Sequence, residues 1–380
     1  MNASDPKRVV ITGIGMVTPL GSNPADVLGR IQRGEGAARS PTCFDGSAFD
    51  CPVCAEVRNF DPQLYLSEIK MVRLMNRDAQ LAVGAARLAL EDAGVTSGTT
   101  YPPEEIALFG ATGLAGLPLL EVAPLIKVST GLAGGFDLQL FGKVGLKAVR
   151  PILSFKILSN MPFCFVSINE NIQGPNGIYT PWEGNGAQAI EAGIRAIQAG
   201  DARCALVGGC DVKTHELAFT SLQQQGIFFA WRESGNGIVP GEGAAFLVLE
   251  NEENALARGA RTYGFVSAAS LRSASREKAM AQTRTEVLQG LNTAGAVSTL
   301  VSSSVGDESR DCQEESLLSS AQLSANSIIR PKPLVGDLFA AAALLQLGLG
   351  ALLAESHRAR VLVNCFGHGC TQAAFLVDAV

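Results

Sequence analysis

Apolar runs without polar alternation recur along the chain, separated by stretches of helical period. Arg8–Thr12 (RVVIT), Ile106–Gly110 and Cys204–Cys210 (CALVGGC) are continuous enough to read as strands buried on both faces. Asn76 can cap a helix through Asp92, with Leu81, Ala85 and Leu88 on its inner face and Gly94 as its stop. A Gly-Pro-Asn turn at 174–176 leads into a short β-prone run, Gly177–Trp182, which breaks at Glu183-Gly184. Ile190, Ile194 and Ile197 then recur at helical spacing, so a helix buries one face there. Gly235–Glu250 reads as a glycine-rich loop running into a strand, and residues 40–65 and 126–150 as irregular connections.

From residue 251 the alternation begins again. It predicts a helix at Glu252–Arg258, a strand at Tyr263–Ala268, a helix near Lys278–Ala294 and a strand at Thr299–Ser303. A helix near Glu314–Leu323, a buried helix over 338–354 and a hairpin-like pair, Val361–Cys365 with Ala373–Val377, complete the chain. Strands alternating with helices argue an α/β fold with mostly buried sheets. The pattern divides it into two unequal halves, 1–250 and 251–380. The apolar helix is slightly short for a membrane span and carries Gln346, so it reads as a core helix and no span is expected.

Composition narrows the function classes. The chain is 47% apolar and only 17% charged, so part of its surface is expected to be hidden in an oligomer. A net charge of −6 offers no footprint for nucleic acid or an anionic membrane. Nine cysteines lack regular spacing, and Cys51-Pro-Val-Cys54 stands without a second pair or a nearby histidine, so no metal is expected. The N-terminal MNASDPKRVV lacks a signal-peptide core, and the chain reads as cytoplasmic and reduced. Gly13-Ile-Gly15 is followed by Thr18-Pro19 rather than by a third glycine and a helix, so no dinucleotide cofactor is expected.

The candidate site is the turn at residue 183. A strand turning into a buried helix places one side chain at the helix N-terminus, where free N–H groups and the dipole favour an anion or an activated nucleophile. Here that side chain is Glu183. A carboxylate cannot do a thiolate's work.

Seven ordered blocks resemble the β-ketoacyl synthases of fatty-acid and type II polyketide synthesis. They are RVVITGIGMVTPLG (8–21), RLALEDAG (87–94), GPN (174–176), AGDARCALVGGCD (199–211), VPGEGAAFLVLE (239–250), KPLVGD (332–337) and NCFGHGCTQAAF (364–375). The resemblance implies the thiolase fold, two similar α/β halves stacked as five layers (αβαβα), and a dimer. Family chemistry uses a cysteine that accepts the acyl chain and two histidines that decarboxylate the malonyl extender and stabilise the oxyanion. By the resemblance Glu183 stands in the cysteine's place, Ser304 in that of the first histidine and Asp337 in that of the second. Lys332 is retained, Gln346 replaces the lysine's carboxylate partner, and His368 replaces a phenylalanine of the glycine loop.

Such a set implies a non-catalytic partner, the chain length factor, which pairs with an active ketosynthase and helps set chain length on an acyl carrier protein. Glu183 then reads as a structural plug, with Lys332 re-paired to Glu183, Asp337 or both. Leu117, Leu120 and Leu125 are tunnel and chain-length candidates, with ordinary core leucines as the alternative. Trp182 reads as a packing residue at the dimer seam, and His368 as structural. Two other readings stay open. One is a homodimeric decarboxylase or acyltransferase using Glu183 and Asp337; the other is an acyl-carrier-binding scaffold.

Overall fold

A computed structural model describes residues 8–114, 117, 119–274, 280–291 and 295–380. Ten strands follow in chain order: β1 (Val9–Val17), β2 (Ile106–Thr112), β3 (Asn176–Tyr179), β4 (Cys204–Val212), β5 (Glu242–Asn251), β6 (Gly264–Ser273), β7 (Gly295–Val301), β8 (Leu323–Ile329), β9 (Val361–Cys365) and β10 (Thr371–Asp378). They join as β3-β2-β4-β5-β1-β6-β10-β9-β7-β8. The middle joint is thin: β1 meets β6 only at Val10↔Phe265 and Ile11↔Gly264.

On either side of that joint the same pattern occurs twice. In strands 1–5 and again in strands 6–10 the spatial order is third, second, fourth, fifth, first. In each set the third, second and fourth strands run parallel, and the fifth is antiparallel to both neighbours. The third strand of each set leads to a helix in the middle of the molecule, Glu183–Ala199 in one case and Ala342–His357 in the other. These two helices pack on each other and on both strand sets. Arg77–Ala93 and Met161–Glu170 cover the outer face of the first set, Met280–Gln289 and Glu308–Ser320 that of the second. The result is five layers: helix, sheet, helix, sheet, helix.

The central position of Ala342–His357 explains its lack of a polar face. Its residues from Ala342 to Ala354 are all buried. Phe339–His357 is long and apolar enough to cross a membrane by length and composition, but 89% of its most apolar stretch is buried in the protein. A Cβ at Gly350 would sit 2.5 Å from Val363, so glycine is what lets the helix close on the sheet there.

Several boundaries differ from expectation. β1 does not end at Thr12 but runs through Gly13 and Gly15 to Val17. A Cβ at Gly15 would sit 2.1 Å from the Ala85 carbonyl, so this glycine serves close helix–strand packing rather than a turn. The connection at 126–150 contains a short helix, Leu138–Lys143, and Met161–Glu170 is a full helix with no sequence forecast. β8 begins at Leu323, where the predicted helix was to end. As an edge strand it keeps Ser324 and Asn326 in a stretch whose composition reads as loop.

Candidate functional site

Glu183 is the first residue of the central helix, one peptide beyond Trp182, the N-cap. The Asn185 side chain accepts from the Trp182 N–H at 2.9 Å and fixes the turn. Lys332, from the short helix Lys332–Val335, reaches across from the second strand set. Its Nζ donates to Glu183 Oε2 at 2.5 Å and lies 3.7 Å from Asp337 Oδ2. All three side chains are 1–2% exposed. Lys332 therefore bridges both carboxylates.

Asp337 is held separately. Its Oδ1 accepts from the Phe339 N–H at 2.7 Å, and its backbone pairs with Val239 and Gly241. Glu183 Oε1 has no hydrogen-bond partner among the described residues. A Cβ on Gly367 would lie 2.2 Å from Glu183 Oε2, so the carboxylate fills the space beneath the 366–370 loop. Above it Trp182, Phe339 and His368 form a ring cluster, with centroids 6.0 Å (Trp182–Phe339), 5.9 Å (Trp182–His368) and 6.1 Å (Phe339–His368) apart. Trp182 thus packs within its own chain, and His368 is a stacking residue.

The electrostatics follow from one cation shared by two anions. Burial pushes the Glu183 carboxyl up to about 7; Lys332 pulls it down and Asp337 raises it again. Burial works against the Lys332 charge, but Asp337 and Glu183 outweigh it and hold the ammonium above the ordinary lysine value. The arrangement can store a proton. It offers no thiolate.

Ser304 lies elsewhere. It is buried, its N–H donates to Ser302 Oγ at 3.0 Å, and its own hydroxyl has no partner among the described residues. It faces a cavity of about 20 Å³ that Gly367, His368 and Glu314 also line. Gln346 bonds away from Lys332. Its Nε2 donates to the Ser302 carbonyl (3.1 Å) and the Asn364 carbonyl (2.8 Å), tying the ends of β7 and β9. Sequence reading missed Glu314. This buried carboxylate accepts from Ser302 Oγ (2.6 Å), the Ser303 N–H (3.1 Å) and Asn364 Nδ2 (2.7 Å). Nothing in the acidic stretch around it marks it out.

Leu117 and Leu120 line an open cleft of about 980 Å³ with Val57, Met75, Arg77 and His215, whereas Leu125 does not. On the helix Leu119–Val128, positions 120 and 125 stand about 140° apart around the axis, so one cleft cannot take both. None of the three is a core residue of this chain, and Leu120 is 86% exposed. Among the described residues, twelve of the nineteen exposed large hydrophobics fall between 114 and 158, including Leu132, Phe136, Leu138 and Leu146. β3, whose last residue lies three before Trp182, is a terminal strand with one edge unpaired.

All nine cysteines are free, and burial pushes the Cys51 and Cys54 thiols up to about 12. Among the described residues, no group of three or more His, Cys, Asp or Glu side chains could hold a metal ion.

Residues 6–255 match the family described as Beta-ketoacyl synthase, N-terminal domain. The chain is 30% identical over 268 residues to 3-oxoacyl-[acyl-carrier-protein] synthase 2 of Coxiella burnetii, and the match covers 68% of this chain and 61% of that protein. The Synechocystis protein of the same name is 29% identical over the same shares of each chain. In fold the chain is similar to the ishigamide ketosynthase/chain length factor, with a TM-score of 0.79 at 21% identity over 99% of this chain and 100% of that one. It is also similar to a type II PKS ketosynthase solved with its acyl-carrier protein, at TM-score 0.75 and 17% identity over 98% of this chain and 100% of that one.

Proposed function

The chain belongs to the β-ketoacyl synthase family and has its thiolase-like α/β fold, and from that membership we propose that it is a catalytically silent, chain-length-factor-like subunit. It pairs with an active ketosynthase in a cytoplasmic complex and helps set the length of the acyl chain on an acyl carrier protein. The reading takes 1–250 and 251–380 as its two ketosynthase-like halves.

One observation carries it: the side chain at the N-terminus of the central helix is a carboxylate ion-paired to Lys332, beneath Gly367 and a cluster of three rings. No acyl thioester can form on it. The three histidines are spent elsewhere. His215 caps a helix through Nδ1, His357 is exposed in the last turn of another, and His368 stacks on Phe339. Losing members of a group that acts as a unit removes nearly all of its rate. The exposed apolar segment 114–158 and the free edge of β3 support a protein partner, because apolar surface on that scale calls for a cover.

Glu183 and Asp337 are poorly placed for decarboxylation, since neither lines the 980 Å³ cleft or the 20 Å³ cavity. The test is co-expression with a cysteine-bearing ketosynthase, followed by native mass spectrometry and turnover assays. A one-to-one complex is expected, with neither carbon–carbon bond formation nor covalent acylation by the isolated chain. Turnover of malonyl-carrier protein by the chain alone would replace this reading with the decarboxylase. Stable carrier binding without a synthase partner would replace it with the scaffold.

A further inference from the structure

We infer that the surface at 114–158 selects its partner by charge: the partner's facing surface is apolar at its centre with unpaired carboxylates around it, and the same charges keep this chain from pairing with itself. The inference rests on the heterodimer proposed above and names the chemistry that would decide what fills the second place.

The segment is built as an outward-facing lobe. Leu119–Val128 packs on Leu138–Lys143 and on Gly145–Lys147, and the Phe136 and Phe141 rings lie 5.6 Å apart. What these contacts leave outside is apolar: Leu132, Phe136, Leu138 and Leu146 are each more than half exposed. Four cations stand among them. Lys127, Lys143, Lys147 and Arg150 are exposed, and among the described residues none of them meets a carboxylate.

The acids of the segment are spent within it. Glu121 pairs with Lys156 at 3.2 Å, and Asp137 accepts from the Gln139 and Leu140 N–H groups at 2.8 and 3.0 Å. On the adjoining cleft wall Glu56 faces Arg58 (3.5 Å) and Glu242 faces Arg77 (2.9 Å), which leaves Glu216 as the one unpaired acid there among the described residues. By sequence the segment holds five cations and two acids, a surplus of three in a chain of net charge −6, so the remainder carries −9.

A closed pair of identical chains brings one patch against its own copy. Here that would set the free cations of one chain against those of the other, across an interface where salt at about 0.1 M screens only beyond about 10 Å. Like charges so placed oppose the pull of the apolar centre. Carboxylates on a different chain turn the same cations into attraction and faster encounter. An anionic bilayer fits less well. It would repel the remainder of the chain, and it offers nothing to the free edge of β3, which lies beside β2 where β2 leads into the segment.

The test makes a complementary partner from the chain itself. A full-length variant carrying Lys127→Glu, Lys143→Glu, Lys147→Glu and Arg150→Glu is mixed with the native chain and followed by sedimentation velocity. At about 0.1 M NaCl the mixture should pair at least about tenfold more tightly than either chain alone. At about 1 M NaCl most of that preference should vanish. Circular dichroism and the melting temperature check that the variant is folded. If it is not, the variant with Lys127→Gln, Lys143→Gln, Lys147→Gln and Arg150→Gln should pair with itself about tenfold more tightly than the native chain does. Native self-pairing as tight as the mixed pairing overturns the inference, as does a mixture that stays unpaired or a preference that salt leaves unchanged. So does flotation of the native chain, but not of the reversed one, with phosphatidylserine vesicles, which would give the surface to a membrane.

Failure of the proposed role looks different. If the mixture pairs as expected but no ketosynthase forms a complex with the co-expressed native chain, the charge rule stands and the heterodimer falls. If a ketosynthase pairs equally well with the native and the reversed chain, the heterodimer stands and this inference falls.

Discussion

Lys332→Met removes the one ammonium that faces Glu183 and Asp337 in a pocket where all three groups are 1–2% exposed. Breaking a buried pair from one side leaves an uncompensated charge and costs about 3–5 kcal/mol. For a chain of this length that corresponds to a fall in melting temperature of about 4–6 °C. The penalty must depend on pH. Glu183 already titrates near 7 with the lysine present, because burial disfavours its charge. Without the lysine it takes up a proton more readily still, which relieves the variant at low pH. Each pH unit over which the folded carboxyl holds a proton that the unfolded one has lost costs about 1.4 kcal/mol of stability as pH rises. The variant should therefore fall further below the native protein at pH 8 than at pH 6. Adding Glu183→Gln should recover a large part of the loss, since the pair is then replaced by groups that carry no charge. Thermal denaturation of all four proteins at both pH values, at fixed ionic strength and with any partner subunit at constant concentration, closes the cycle. A Lys332→Met protein that melts within 1 °C of the native one at both pH values would refute the reasoning, as would a double variant no better than the single.

Three further outcomes are expected. Glu183 ionises near 7 when folded and near its ordinary 4.5 when unfolded. Its contribution is fully present below pH 4.5 and disappears as pH rises through about 7. The stability difference between native protein and Glu183→Gln should therefore shift against the native protein across that window, and parallel pH curves would count against it. Gly367→Ala places a Cβ 2.2 Å from Glu183 Oε2 and should cost about 1–3 kcal/mol by overpacking. Urea denaturation should show that Glu183→Ala relieves the clash, and a Gly367→Ala cost that persists in the double variant would locate the strain elsewhere. Leu132→Glu with Phe136→Glu places charge on the exposed apolar segment. It should abolish co-purification with the ketosynthase partner proposed above while leaving the far-ultraviolet circular dichroism unchanged, and an intact complex would remove this face from the proposed interface.

What could be read in advance follows the range of each interaction. The helix at Arg77–Ala93 has its cap, period and stop within its own stretch, so Asn76 and Gly94 announced both ends. The turn that presents Glu183 is local in the same sense. β8 and Met161–Glu170 were not legible, because tertiary position rather than a cap or an apolar period makes them what they are.

The site itself belongs to neither half alone. Glu183 comes from the first strand set, whereas Lys332, Asp337 and the 366–370 loop come from the second. Their meeting follows from the duplicated topology, which sends both third strands into helices that pack side by side between the sheets. A motif comparison could align Lys332 and Asp337 with catalytic positions and so suggest that they lie near Glu183. It could not place Gln346, which donates to the carbonyls of Ser302 and Asn364, nor Glu314, which gathers the donors at the end of β7. The second half has a polar cluster of its own, centred on Glu314, while Lys332 reaches across to the first half. That separation has a physical consequence. A cysteine at 183 would put a thiol at the helix N-terminus but leave Lys332 beside Asp337 alone, while Ser304 lines a small cavity that residue 183 does not line. A Glu183→Cys chain is therefore expected to form no carbon–carbon bonds from malonyl-carrier protein, and one that does would refute the catalytically silent reading proposed above.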